Sequence, residues 1–518
     1  MASAYRVHAP SFQSIVLATR GEVIARPAND PTSLTTDTRD ELRDACFVAL
    51  VGETFDGHAF VAQAARAGAA MAIVERDLDA SERAGLPESF GLVRVRSTRR
   101  ALGAIAHAWR RSLRRLRVVA VTGSAGKTTT RRLLEGILSE AGPAHASPKS
   151  FNNDIGVPLT LLSTPDEARF LVAEIGMNHP GEILPLTEIA EPEGAIITLA
   201  GRAHLEGMGS IEAVATEKAS ILEGVPEHGF GIVNGDNPPL LAAVERLVQT
   251  GRAPGRIATF GTGPSCDYRL VARSVHAGGQ TLEVAFPPAS RTGEADPVLV
   301  ADSVVVADSG PMRRATFELR MPGEHNARNA VAAIAAAVEM GIDPATIARG
   351  LAKVEPADMR LERIEIAGRA VYNDAYNANP DAMIASLRAF AELAAGIGRR
   401  VVILGEMREL GPDARALHEE VGGHAAAHLG AGDAIVAVGP HADALAAAAR
   451  RAGFAGDAVH APAFSDAFAL EAAALAPQGA AILLKGSRGA RMERFVEPLR
   501  SAFGAAAPGE SAGVPAAR

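Results

Sequence analysis

Cysteine is almost absent: Cys46 and Cys266 are the only two among 518 residues, too few for a disulfide framework. Lysine is scarce as well. The basic residues are nearly all arginine, and lysine occurs only as Lys127, Lys149, Lys218, Lys353 and Lys485. Where arginine serves the solvated surface, a retained lysine is a candidate for chemistry that a guanidinium cannot perform. No apolar run is long enough to cross a bilayer, and the N-terminus lacks a basic-then-apolar targeting pattern. With the cysteine usage, these absences predict a cytoplasmic protein without membrane insertion. Basic excess is missing too. A net charge of −8 provides no overall field to hold nucleic acid or an anionic membrane, so an anionic ligand must meet a local positive site. What is present is an ordinary hydrophobic content of 47% on a chain too long for one core, and three domains are expected.

The pattern along the chain divides it. Apolar runs at 45–50, 71–74 and 92–95, with a helical stretch from Gly57, read as a small mixed α/β domain over 1–113. A basic helix-like segment, 99–117, leads out of it. From 114 to 354, strands at 118–121, 170–175, 195–199 and 231–233 alternate with helical segments, the signature of a mostly parallel, helix-covered sheet. Between 266 and 320 shorter alternating strands, such as 281–286 and 315–319, predict an antiparallel insert. From 355 to 504, strands at 370–373, 401–404, 434–438 and 480–484 each precede a helix, which predicts a second doubly wound, Rossmann-like sheet. The Ala-, Gly-, Pro- and Ser-rich end, 505–518, is expected to be a disordered tail.

The strongest local signal is Val118-Val-Ala-Val-Thr-Gly-Ser-Ala-Gly-Lys-Thr-Thr-Thr130, a buried strand passing through a glycine turn into a helix. Gly123 and Gly126 let the backbone N–H groups of the turn, with Ser124 and Ala125 between them, approach phosphate oxygens. Lys127 supplies a cation for the β- and γ-phosphates, Thr128 a hydroxyl for Mg²⁺, and Thr129 continues the first helical turn. The glycine-to-glycine spacing is two residues shorter than in the general P-loop pattern. A nucleotide triphosphate is the expected ligand, although the turn alone does not choose among kinase, motor, switch and ligase.

Moving a γ-phosphoryl group onto a carboxylate brings two anions together and calls for divalent cations and neutralising side chains. Glu174 ends the apolar strand 170–175, His204 follows the next strand, and Lys218 falls on a helix after that loop. A carboxylate and an imidazole at successive strand ends, beside Thr128, can bind Mg²⁺, although imidazole is an unusual ligand for so hard a cation.

Six ordered motifs resemble those of the Mur ligase family: Thr122-Gly-Ser-Ala-Gly-Lys-Thr-Thr129, Asn152-Asn-Asp-Ile-Gly-Val-Pro-Leu-Thr160, Glu174-Ile-Gly-Met-Asn178, Ala203-His-Leu-Glu-Gly207, Pro322-Gly-Glu-His-Asn-Ala-Arg-Asn329 and Asn373-Asp-Ala-Tyr-Asn-Ala-Asn-Pro380. The match runs nearly end to end. Further segments, Asp37-Thr-Arg39, Gly52-Glu-Thr-Phe-Asp-Gly-His58, Leu404-Gly-Glu-Met-Arg-Glu-Leu-Gly411 and Leu484-Lys-Gly-Ser-Arg-Gly-Ala-Arg-Met-Glu493, are most similar to those of the family members that join D-alanyl-D-alanine to UDP-N-acetylmuramoyl-tripeptide, and that reaction is the expected one.

The resemblance implies ATP and Mg²⁺ as cofactors, a carbamate on Lys218, and a monomer that takes those two substrates. It implies that Asn326 and Asn329 face the adenine, that Arg360 and Asp374 close over phosphates and ribose, and that Thr128, Glu174, His204 and Lys218 hold metal. Lys127, His204 and Lys218 are the implied catalytic set. Thr36, Asp37, Arg39, Asp56, Gly57 and His58 would bind the UDP-sugar end, with Asn152, Asn153, Tyr376, Asn377, Asn379, Lys485, Ser487 and Arg488 on the rest of the substrates. Two residues depart from the family pattern. The strand-end segment before His204 usually carries asparagine but here contains Arg202, and Ser220 stands where an acidic residue is common two positions after the lysine. The rival expectations are a folate- or diamino-acid-adding ligase on the same scaffold and a nucleotide-driven switch that forms no amide.

Overall fold

Among the described residues three sheets form where the buried apolar runs fall. The computed structural model describes residues 7–52, 54–148, 150–276, 278–287, 307–309 and 312–504; Lys149 and the expected tail at 505–518 lie outside the described residues. The first sheet runs Glu22–Ala25, Gly91–Arg94, Met71–Val74, Ala45–Val48, Ser33–Thr35 in space, parallel except for its Glu22–Ala25 edge. Ala45–Val48 and Met71–Val74 are buried at every residue, as strands covered on both faces must be.

Among the described residues the central sheet has ten strands. From Ala144–Ala146 through Phe170–Glu174, Arg117–Thr122, Gly194–Ile197, Phe230–Asn234 and Arg256–Gly261 to Tyr268–His276 the strands are parallel. Gly279–Phe286, Met312–Leu319 and Ala307–Ser309 then continue it antiparallel. The antiparallel segment expected over 266–320 is therefore an extension of this sheet, sharing its core through Leu282, Val284 and Phe317, and not a separate layer. Residues 288–306 of that segment lie outside the described residues.

The third sheet runs Glu362–Ile366, Arg369–Asp374, Ala481–Lys485, Arg400–Gly405, Ala434–Val438, Asp457–Ala461, antiparallel only at its first pair. In the helix Thr98–Ser112, Ser97 caps the N-terminus through Arg100 N and the face carrying Leu102 and Ile105 is buried. That face joins the cluster containing Val118 and Leu171, so the first and central sheets share buried surface.

The helix of the glycine turn, Lys127–Ala141, is held by a close crossing with Pro344–Lys353. A Cβ on Gly136 would lie 2.3 Å from Val354 Cγ2, and one on Gly350 would lie 2.4 Å from Ile137 Cα. Backbone, unlike a side-chain tip, cannot swing away. Gly350→Ala is expected to lower stability by about 1–3 kcal/mol through overpacking; a denaturant midpoint equal to that of the parent would contradict this contact.

Candidate active site

The strand Arg117–Thr122 ends at Gly123 and Gly126, whose φ values of +153° and +85° suit a residue without Cβ. Space demands the same. A Cβ would sit 1.8 Å from Thr198 Oγ1 at Gly123 and 2.4 Å from Asn329 Oδ1 at Gly126. The turn is tied to the next strand end: Ser124 N donates to Leu199 O at 2.7 Å, Gly201 N donates to Ser124 Oγ at 2.9 Å, and Thr198 Oγ1 donates to Ala125 O at 2.5 Å. Lys127 begins the helix, with Nζ 2.7 Å from Gly123 O. Burial lowers its pKa from the ordinary lysine value; Glu174 opposes that shift and Arg360 adds to it.

Glu174 ends Phe170–Glu174 and is 1% exposed. One carboxylate oxygen accepts from Thr128 Oγ1 at 2.8 Å, the other from Asn152 Nδ2 at 2.9 Å, and Glu174 N donates to Ser147 Oγ at 2.9 Å. Arg131 Nε stands 3.7 Å from the carboxylate. A carboxylate and a hydroxyl at one strand edge are the hard oxygen donors that Mg²⁺ prefers, and the glycine cradle beside them leaves the space a phosphate needs.

Lys218, on Ile211–Ala219, is 1% exposed and does not line the cavity. Burial, reinforced by the nearby Lys127, holds its pKa well below the ordinary lysine value, with Glu217 opposing. A cationic amine does not fit a metal site. A neutral amine able to carry a carboxyl group does. Ser220, two residues on, donates its hydroxyl to Glu217 O at 2.7 Å. His204 sits at the N-terminus of Leu205–Met208 with φ +58°, and its Nδ1 lies 2.6 Å from Glu409 Oε2. Arg202 meets Asp381 and Glu420, on helices that flank the third sheet.

Asp374 and Lys485 end adjacent parallel strands in register, so both side chains emerge at the same sheet edge. Lys485 Nζ donates to Asp374 Oδ2 at 2.8 Å and to Asn377 O at 3.1 Å. Arg360 lies over the Tyr376 ring at 4.3 Å, and Tyr376 hydrogen-bonds Ser150 of the central part. Asn379 caps Pro380–Leu393 and donates to Ser124 O at 3.3 Å.

A cavity of about 1420 Å³ collects these groups. Ser124 to Thr129, Asn152, Asn153, Glu174, His204, Asn326, Asn329, Arg360, Asp374, Tyr376, Asn377, Asn379, Lys485 and Arg488 line it. Ser487 is buried behind it and accepts from Arg408 N at 3.0 Å. The set Thr36, Asp37, Arg39, Asp56, Gly57 and His58 lies in the connections between strands of the first sheet and does not line the cavity. There Arg39 pairs with Asp37 in solvent. His58, 1% exposed, accepts from Glu75 N at 2.8 Å through Nε2 and faces Asp56 at 2.5 Å through Nδ1, which anchors its own loop.

Residues not singled out in the sequence include Ser147, Arg131, Glu409, Asp381 and His325. The signal for His325 was its place between Glu324 and Asn326 in a quoted motif. Packing on the cavity wall pushes its pKa down to about 4 from 6.5; Asp374, Glu392 and Glu324 oppose the shift and Lys485 adds to it. Because the folded value is depressed, its contribution to stability is full above pH 6.5 and is lost as pH falls toward about 4. Replacing His325 with Gln is expected to flatten the fall in denaturant midpoint over that window. An unchanged slope would contradict the shift.

Comparison with known proteins points one way. The family model of the Mur ligase middle domain matches residues 121–337, and that of the Mur ligase glutamate ligase domain matches 359–488. The chain is 35% identical over 473 residues to the UDP-N-acetylmuramoyl-tripeptide--D-alanyl-D-alanine ligase of Escherichia coli K12, covering 90% of this chain and 93% of that one. A crystal structure of MurF from Acinetobacter baumannii superposes with a TM-score of 0.79 at 30% identity, over 96% of this chain and all of that one (100%). The MurF ligase of Thermotoga maritima in complex with ADP gives 0.73 at 25% identity, over 93% and 99% of the two chains.

Proposed function

This chain belongs to the Mur ligase family, and on that premise we propose that it joins D-alanyl-D-alanine to UDP-N-acetylmuramoyl-tripeptide at the expense of ATP. The observation that carries this function is the meeting, in one cavity, of the triphosphate turn, the Thr128–Glu174 oxygen pair and the Asp374–Lys485 strand ends.

The terminal carboxylate of the tripeptide attacks the γ-phosphorus and ADP leaves. The amine of D-alanyl-D-alanine then attacks the acyl carbon, phosphate departs with the former carboxylate oxygen, and the amine loses a proton. Lys127 and the turn N–H groups stabilise charge on the transferring phosphoryl group. Mg²⁺, when bound, supplies Lewis-acid neutralisation of the phosphate oxygens. Thr128 and Glu174 would hold it, and His204 and a carbamylated Lys218 would hold a second ion. The carbamate forms when the neutral amine attacks CO₂ and releases a proton, which converts the amine into an anionic oxygen donor. Asn326 and Asn329 face the adenine. The third sheet closes the cavity against water, which protects an acyl-phosphate from hydrolysis.

Residues 1–113 hold the UDP-sugar end, 114–354 the nucleotide, and 355–504 the closing lobe. The chain is proposed to act as a monomer. The cytoplasm, where ATP and nucleotide sugars meet, is the compartment this chemistry requires; among the described residues no helix is long and apolar enough to cross a membrane.

Incubation with Mg-ATP and each donor–acceptor pair in turn tests the assignment. Only UDP-tripeptide with D-alanyl-D-alanine is expected to give a new product by mass spectrometry. A folate or muramyl-dipeptide product, or ATP hydrolysis without any acceptor-dependent product, would replace it with one of the rivals.

A further inference from the structure

We propose that Arg202 is a positioning residue that couples docking of the third domain to the geometry of the phosphate-binding turn; the inference rests on the ligase function above. The segment from Thr198 to His204 leaves the strand Gly194–Ile197 and is held from two sides. On the inner side it is bonded to the turn through Ser124 and Ala125, as described, and Asn237 clamps Ala200 by accepting from its N–H at 3.0 Å and donating to its carbonyl at 3.1 Å.

On the outer side Arg202 makes four hydrogen bonds to the third domain. Its backbone N donates to Asp381 Oδ2 at 2.8 Å, its Nη2 and Nε donate to Asp381 Oδ1 at 2.8 and 3.1 Å, and its Nη1 donates to Glu420 Oε2 at 2.6 Å. The two acceptors sit on different helices of the third domain, Pro380–Leu393 and Ala414–His428. A Cβ on Gly201 would lie 2.5 Å from Asp381 Oδ2, so the loop backbone and the carboxylate are in direct contact.

An ion pair with side chains 21% and 30% exposed is worth little to stability by itself. Its position gives it a different role. One guanidinium fork spans two carboxylates, a geometry that a lysine ammonium cannot reproduce. It does so one residue from Gly201, whose N–H is bonded to the phosphate turn. Displacing the third domain therefore pulls on the backbone that orients Ser124 and Ala125. His204 carries a parallel connection to Glu409, two residues later on the same loop.

The test separates docking from chemistry. Cys46 and Cys266 are buried, so nitroxide labels on Gln249→Cys and Glu471→Cys report the distance between the central and third domains. With magnesium and a non-hydrolysable ATP analogue, the parent is expected to give one narrow distance distribution. Arg202→Ala is expected to broaden it toward longer distances, and to lower kcat by roughly 10-fold or more while KM for ATP changes by less than about 3-fold. Arg202→Lys is expected to recover part of the kcat, and Glu420→Gln, which leaves the Asp381 contact in place, to give a smaller effect of the same kind. A distribution for Arg202→Ala that coincides with the parent's overturns the proposal whatever happens to kcat, and so does a shifted distribution with unchanged kcat. The distances need no turnover, so a parent enzyme that makes no amide would count against the ligase function and leave the docking measurement readable.

Discussion

Lys127→Ala is expected to reduce amide formation by roughly 10³-fold or more, the scale set by removing a cation from a phosphoryl-transfer site. The ammonium stands at the turn, 2.7 Å from Gly123 O, where the proposed reaction would develop γ-phosphate charge. Burial already lowers its pKa, so its removal relieves a desolvation cost and leaves the cradle folded. The expected signature is therefore a lost kcat with a nearly unchanged thermal midpoint. Product formation within about 10-fold of the parent would place the transferring phosphate elsewhere.

Lys218 carries the second large effect. Lys218→Ala and Lys218→Arg are both expected to lose roughly 10²-fold or more in kcat, with Arg no better than Ala, because a guanidinium stays charged and cannot take up CO₂. Lys218→Glu is expected to retain more activity than either, since it restores an anionic oxygen. Acid acts in a definite direction. The folded pKa lies well below the ordinary lysine value, so the reactive neutral amine is present above that lowered pKa and is protonated as pH falls through it. Activity is expected to fall on acidification and to be restored in part by bicarbonate. In ¹³C-bicarbonate a carbamate resonance is expected for the parent and not for Lys218→Arg; its persistence in the variant would move the modification to another residue.

The residues that were legible in sequence are those whose chemistry is local. The run 118–121 followed by Gly123 and Gly126 announces strand, turn and phosphate together, because burial and positive φ each restrict residue choice. Met71–Val74 is equally plain, buried at all its positions. The Glu22–Ala25 strand gives no such signal: it lies at a sheet edge with three of its four residues exposed, so nothing forces alternation. Asp457–Ala461 and Glu362–Ile366 are edge strands of the same kind.

In the site, Glu174 could be placed beside Thr128 because strand order in a parallel sheet puts successive strand ends on one edge. The destination of Arg202 could not. Its acceptors lie 179 and 218 residues away, on helices whose mutual placement depends on how two sheets dock. The sequence marks Arg202 only as a departure beside an expected metal site. The structure turns its side chain around and gives it carboxylates. His325 illustrates another limit: its residue type is visible, but its depressed pKa arises from burial, which depends on how distant parts of the chain pack around it.

Isotope transfer tests the central claim most directly. With UDP-tripeptide carrying ¹⁸O in its terminal carboxylate, D-alanyl-D-alanine and Mg-ATP, each turnover is expected to leave one ¹⁸O in the phosphate released, because the carboxylate oxygen that attacks phosphorus departs with it. Phosphate free of ¹⁸O while ADP and amide accumulate would contradict an acyl-phosphate formed in this cavity.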